Sequence, residues 1–158
     1  MFESTTLAGS KPQQYAQLAA QARSLLHGEH DRIANAANFA ALVWHALPDL
    51  NWCGFYFFDG SELVVGPFQG KPACARIPFG RGVCGTTAAL RKTIVVPDVH
   101  AFPGHIACDS RSNSEIVVPV LDKAGDLIAV LDVDSTDFAA FDETDARGLE
   151  AICKAMLS

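Results

Sequence analysis

The chain has 158 residues, 49% of them apolar, with a net charge of −6 and an isoelectric point near 5.2. That length fits one domain with a core large enough to stand without disulfide staples. The acidic balance argues against nucleic acid and anionic membrane surfaces, which both call for a basic face. Small molecules or proteins remain as partners. No apolar run approaches the ~18 residues of a membrane span. The first 14 residues are polar, with no basic region leading into an apolar stretch, so a cytoplasmic setting is expected. There thiols stay reduced, and the odd count of five cysteines also speaks against a closed disulfide framework.

The first third reads helical. Lys11-Pro12 opens a run in which Tyr15, Leu18, Ala19, Ala22, Leu25 and Leu26 recur at helical spacing, and His27-Gly28 stops it. A second helix runs from Asp31 along a broad apolar face that includes Ile33, Ala36, Ala40, Val43 and Leu47, and Pro48 ends it. The period then changes to two. Residues 51–58 read as a strand with Cys53, Phe55 and Phe57 on one face and Trp52, Tyr56 and Phe58 on the other. Asp59-Gly60 turns the chain into a partner strand at 62–65. Further strands are expected at 75–79, 93–96, 116–121 and 127–134, with a short helix at 86–91 and a hairpin through Gly125. A last helix starts at Asp142, with Asp145 in capping-box position and Leu149, Ile152, Cys153 and Met156 on its buried face. Helices at both ends of a run of strands give α+β, with a central, mostly antiparallel sheet.

Two stretches carry the candidate chemistry. Gly80-Arg81-Gly82-Val83-Cys84-Gly85 matches a dinucleotide fingerprint, with Asp98 roughly where a ribose-binding acid falls. The preceding strand is short and contains Pro78, and the following helix is too short for a parallel crossover. A glycine turn feeding a short helix is the better reading, and it puts Cys84 near a helix N-terminus. Residues 99–114 lack any periodicity yet hold His100, His105, Cys108 and Asp109 among apolar neighbours, which suits a functional loop packed down on the domain. A metal site would combine Cys84, His100, His105 and Cys108, but the spacing of a zinc site is missing, so no metal is expected. A Cys108–His105 nucleophile pair is a further option.

Three acids form the second cluster. Asp132 and Asp134 share a strand face about 6.6 Å apart, and the hairpin returns Glu115 beside them. Whether Glu115 points to the same face depends on register, which the sequence leaves open. Three converging acids repel one another unless protons or a cation relieve them. Trp52 and Tyr56 fit either core packing or an aromatic wall for a ligand. Cys53 and Cys153, in apolar runs, fit the core.

Taken together, Gly66-Pro67-Phe68-Gln69-Gly70, Ala73-Cys74, the stretch from Ile77 to Gly85, Asp98-Val99-His100, Gly104-His105-Ile106-Ala107-Cys108-Asp109, Ser112-Asn113-Ser114-Glu115-Ile116 and Leu131-Asp132-Val133-Asp134-Ser135 closely resemble the free methionine-(R)-sulfoxide reductases, a family built on the GAF domain. The resemblance implies one GAF-like domain over 1–158, with N-terminal helices at 12–48 and a core with active-site loops at 51–158. It implies Cys108 as nucleophile, Cys74 as resolving partner and Cys84 as a further exchange thiol, with the order of disulfides left open. Glu115, Asp132 and Asp134 match the substrate-binding acids, and Trp52 and Tyr56 the aromatic wall. The implied reaction is reduction of free methionine-(R)-sulfoxide through a Cys108 sulfenic acid and an intramolecular disulfide. No bound cofactor is implied; thioredoxin, supplied by NADPH, is the external reductant. The same acids are expected to raise the Cys108 pKa. Since GAF-like domains often pair, a homodimer stays open. The competing readings are a non-enzymatic GAF sensor of oxidants or a small molecule, and a structural zinc module.

Overall fold

The computed structural model describes residues 1–156. Its elements run α1 (Lys11–Leu25), α2 (Arg32–Ala46), β1 (Leu50–Phe58), β2 (Glu62–Gly70), β3 (Arg76–Pro78), α3 (Gly82–Leu90), β4 (Ile94–Val96), a 3-10 turn (Val99–Ala101), β5 (Ser114–Leu121), β6 (Leu127–Ser135) and α4 (Glu143–Ala155). The strands form one six-stranded sheet in the order β3-β2-β1-β6-β5-β4, antiparallel at every pairing. The expected α+β class and central antiparallel sheet are therefore observed. Among the described residues no helix is long and apolar enough to cross a membrane.

The pleat divides the molecule into two layers. Cys53 and Phe55 of β1, Ile116 and Val118 of β5, and Ala129, Leu131 and Val133 of β6 point to one face. There α1, α2 and α4 cover them with Leu18, Phe39, Val43, Leu149 and Ile152. Trp52, Tyr56, Val117 and Val130 point to the other face, under α3 and the connecting loops. Cys53 and Cys153 lie in the first core, as their apolar runs suggest.

Local chemistry sets the element ends. Ser10 and Gln13 close a capping box on α1, Asp31 caps α2, and Asp142 with Asp145 forms the expected box on α4. Three ends differ from expectation. β2 continues to Gly70 instead of stopping at Val65, because a bulge opposite Phe55 absorbs Gly66 and Pro67. A bulge is one of the few places in a sheet where proline's missing N–H does no harm. β5 begins at Ser114, so Glu115 is paired on both sides rather than standing at a strand's start.

The third difference is α3, which begins at Gly82, four residues before the expected start. The glycines of the fingerprint-like stretch explain this. Gly80 and Gly82 have positive φ, and a side chain on Gly85 would strike the Pro78 carbonyl. The backbone N–H of Gly80 donates to the Gly85 carbonyl, which seats the first turn of α3 on the end of β3. The motif is thus a close-packing device, and Asp98 caps the 3-10 turn through the His100 N–H.

Helix α1 is pinned to α4 by a buried polar contact. The Tyr15 hydroxyl donates to Asp145 Oδ1 at 2.7 Å, while Lys11 Nζ reaches both Asp145 and Asp142. The Tyr15 ring lies flat over Gly148, where any Cβ would collide with it. Gly148→Ala should therefore destabilise the protein by about 1–3 kcal/mol, the usual range for overpacking, and Tyr15→Phe by about 1–2 kcal/mol through loss of a hydrogen bond to a charged acceptor. Urea unfolding midpoints check both. An unchanged midpoint for Gly148→Ala would show that α1 is not held at this contact.

Candidate active site

Register assembles the site. Trp52 of β1 lies opposite Asp134 of β6, and Asp134 lies opposite Glu115 of β5, so one row across three strands carries a ring and two carboxylates on the same face. One pleat along, Gly54 lies opposite Asp132, and Asp132 opposite Val117. Directly opposed Cβ atoms stand about 4.5–5.5 Å apart, so the three acids are forced together. The register question left open by the sequence is settled: Glu115, Asp132 and Asp134 share one face.

The acids are also enclosed. Glu115 and Asp132 are only 5% and 7% exposed, and Asp132 Oδ1 has no hydrogen-bond partner among the described residues. Burial is the main cause of their altered acidity. It pushes the Glu115 pKa up to about 8, with Asp134 adding to the rise, and drives Asp132 and Asp134 well above the ordinary carboxylate range. Cys84, in the first turn of α3, faces Asp132 and Glu115, and its thiol pKa is raised strongly, first by burial and then by those acids.

The aromatic residues form the adjoining wall. Trp52 stacks with Tyr56, at 5.7 Å between centroids, and with Phe68, at 5.1 Å. Their polar tips hold the segment that carries Cys74: Trp52 Nε1 donates to the Lys71 carbonyl at 3.1 Å and the Tyr56 hydroxyl to the Cys74 carbonyl at 3.1 Å. Trp52 and Tyr56 are almost fully buried, yet both line the cleft beside the acids.

Residues 102–113 close over this cleft, tied at both ends and in the middle. At the base, Val99 N–H donates to the Asn113 carbonyl, His100 Nε2 meets Asn113 Oδ1, and Asn51 Nδ2 donates to Ser112 Oγ at 2.8 Å. Arg111 clasps Asp109 through its guanidinium and backbone, which holds that carboxyl far below its usual range. In the middle, His105 Nε2 lies 3.1 Å from Glu115 Oε2, and Ile106 sits against Gly82, whose positive φ and tight fit to Ile106 disfavour a larger residue. Loop and strands then leave about 20 Å3 between them, space for about one water. A far larger groove, about 720 Å3, lies away from this cluster, between α4 and the β4–β5 side of the sheet.

The loop delivers Cys108 to Cys74. Their sulfurs are 3.1 Å apart, and the Cys74 N–H points at Cys108 Sγ from 3.5 Å. All five cysteines are free. Burial pushes the Cys108 pKa up to about 11, against the opposing pull of the Cys74 N–H and the Tyr56 hydroxyl. The acids, expected to be the cause, act instead on Cys84, because Cys84 sits among them and Cys108 sits against Cys74.

The candidate thiols, acids and rings, with His105 and Asp109, therefore line or adjoin one cleft, while His100, Asp98 and the core cysteines Cys53 and Cys153 lie elsewhere. His105 pairs with Glu115 rather than with Cys108, so the nucleophile–histidine option finds no support. The four-residue metal set does not converge, since His100 is exposed and turned to Asn113. Sequence reasoning missed Phe68 behind Trp52, and Asn51, Ser112 and Arg111 under the loop. Only the Asx and Ser content around 109–114 hinted at the last group.

The closed acids give a pH signature. A carboxyl whose folded pKa exceeds its unfolded value binds more protons when folded, so stability is greatest below the unfolded value near 4.3 and declines as pH rises toward about 8. The reduced, ligand-free protein should lose stability between pH 5 and 8. Glu115→Gln should flatten that decline and be more stable than wild type at pH 8 by a few kcal/mol. Denaturant midpoints across that pH range check it; parallel curves for the two proteins would mean that Glu115 is not protonated in the folded state.

Comparison with known proteins fits this geometry. The family model described as "GAF domain" matches residues 15–156. The free methionine-R-sulfoxide reductase of Escherichia coli is 49% identical over 90% of this chain and 86% of its own. The solved structure of the Neisseria meningitidis free methionine-R-sulfoxide reductase, in complex with its substrate, superposes with a TM-score of 0.94 at 48% identity, covering 99% of this chain and 94% of that one. A Burkholderia vietnamiensis chain described as a candidate GAF sensor superposes at 0.91 with 64% identity, covering 95% of each chain. The chain belongs to the free methionine-R-sulfoxide reductase family of GAF-domain proteins.

Proposed function

We propose that this chain reduces free methionine-R-sulfoxide to methionine, with Cys108 as the nucleophile. The observation that carries this reading is the seat of Cys108. Its sulfur lies in contact range of a second thiol, at the rim of a buried cleft walled by three carboxyls and two rings. A passive receptor has no use for paired sulfurs 3.1 Å apart; a reductase that must discharge a sulfenic acid does. The sensor description of the Burkholderia chain does not account for this pair.

The roles are those the family resemblance implies, and the geometry is compatible with them. Cys108 Sγ attacks the sulfoxide sulfur, the oxygen passes to Cys108 as sulfenic acid, and methionine departs. The Cys74 thiol then attacks that sulfur, water leaves, and a Cys74–Cys108 disulfide forms. A thioredoxin dithiol exchanges with it in the cytoplasm, and the thioredoxin disulfide so formed is reduced in turn at the expense of NADPH. Cys84, facing the acids, is the further exchange thiol. Glu115, Asp132 and Asp134 grip the substrate ammonium, which favours the free amino acid over a peptide lacking that charge. Trp52 and Tyr56 receive the methyl and the sulfur as it gains sulfonium character, a contact worth about 0.5–2 kcal/mol.

The cleft as it stands is too small for the substrate, so residues 102–113 must lift. His105 must leave Glu115 to free that carboxyl for the ammonium.

Thioredoxin-dependent NADPH consumption with separated epimers tests the reading. The R epimer should be turned over and the S epimer should not. Cys108→Ser should abolish turnover, and Glu115→Gln should lower kcat/KM about 10- to 100-fold, the loss of one charge-assisted contact. Turnover by Cys108→Ser, or unchanged kinetics in Glu115→Gln, would remove these assignments.

A further inference from the structure

Cys84 Sγ and one carboxylate oxygen each from Glu115 and Asp132 lie within 4.8 Å of one another, and all three residues are buried. Among the described residues this is the one group of three or more thiol, imidazole or carboxylate donors that converges so closely. A separate observation also points to a cation here: Asp132, 93% buried, holds Oδ1 inside the cleft with no hydrogen-bond donor. A substrate ammonium would satisfy the carboxylates, but it makes no use of a thiol set between them. A soft or borderline divalent ion uses all three.

We propose that the reduced, substrate-free protein binds one zinc ion through Cys84, Glu115 and Asp132, and that zinc excludes substrate from the cleft. Zinc bonds of about 2.0–2.3 Å set tetrahedral donors about 3.3–3.8 Å apart. The three side chains need to draw in by roughly 1 Å, which rotamer adjustment supplies, and the fourth position stays open. The thiolate selects zinc or cadmium over magnesium or calcium, which prefer oxygen alone. On binding, Cys84 gives its proton to the buffer, and so do Glu115 and Asp132 where burial has kept them protonated. The rival seat, Cys74 with Cys108, offers two sulfurs but, among the described residues, no third donor within the same reach.

Metal binding rests on the donor geometry alone, and only the exclusion of substrate rests on the proposed function. The first arm therefore uses no substrate. Cadmium is titrated into reduced protein without oxygen or added thiol, and the thiolate-to-cadmium absorption in the ultraviolet is followed. A band saturating at one ion per chain is expected in wild type and in the Cys74→Ser, Cys108→Ser double variant. Cys84→Ala should abolish it. Asp132→Asn, with the thiol kept, should weaken zinc competition for the site by more than about tenfold, and guards against a Cys84→Ala protein that fails to fold. No band in wild type, a band surviving in folded Cys84→Ala, or its loss in the double variant would overturn the proposal, the last by placing the metal on the Cys74–Cys108 pair.

In the second arm, pre-reduced protein makes a single turnover with no thiol reductant present. Zinc should raise the sulfoxide concentration needed for half-maximal methionine formation without lowering the maximum. A protein that binds cadmium but forms no methionine would refute the reductase reading and leave the metal site standing. Binding with zinc-insensitive turnover would refute exclusion alone.

Discussion

The pairing register of β1, β6 and β5 is the constraint on which the site depends. In an antiparallel sheet with both faces covered, the side-chain period of two decides which residues meet the helices and which meet α3 and the loops. Leu131 and Val133 fill the helical core while Asp132 and Asp134, which alternate with them in sequence, point the other way. A slip of one residue in β6 would drive Asp132 and Asp134 into an apolar layer, and the same slip in β5 would do so to Glu115, turning the residues that fill that layer to the other face. The helical core thus does two things at once. It supplies the stability of the fold, and it holds in place a row of acids that would not gather unaided.

That enforced crowding is what makes the cleft chemically unusual. Acids in water stay ionised at neutral pH; here burial and mutual repulsion favour their protonated forms. The same enclosure depends on residues 102–113, whose seat is built from small features. Gly82 leaves room for Ile106, Asn51 holds Ser112, and Arg111 fixes Asp109 next to Cys108. One histidine then links the loop to the acids. Loop closure, carboxyl protonation and the approach of the two thiols are therefore parts of one arrangement, since each rests on the same contacts.

How much of this the sequence discloses follows from the range of each interaction. The helices, the β1 alternation and the capping box at Asp142 and Asp145 are local patterns, and they are legible residue by residue. Pro67 misleads because a strand that accepts it needs a bulge, and the bulge exists only against Phe55 of a neighbouring strand. The early start of α3 is hidden for the same reason: glycines that read as a turn are in fact packed on the Pro78 carbonyl. The candidate residues themselves stand out through their motif resemblance and their types. Their pairings do not. Nothing in the spacing tells His105 to choose Glu115 over Cys108, or the acids to act on Cys84. Those choices are made by cross-strand register and by where a loop of a dozen residues comes to rest.

The protonation pattern of the closed cleft bears on how the proposed reaction proceeds. With its pKa pushed up to about 11, Cys108 is held as the thiol at pH 7, which on its own would make a poor nucleophile. The sulfoxide oxygen, however, must gain a proton as the sulfur is attacked, and the empty cleft stores protons on its acids. An entering ammonium reverses the balance: a positive charge beside Glu115 and Asp134 favours their ionised forms and releases a proton when an oxygen is present to take it. Cys108 can lose its own proton in the same event, since the site no longer has to create a free thiolate beforehand. A buried, high-pKa thiol is then protected from stray oxidants while the cleft is empty and becomes reactive when substrate has displaced His105. The burial that weakens the nucleophile at rest is, on this account, the same burial that ties its activation to the arrival of substrate.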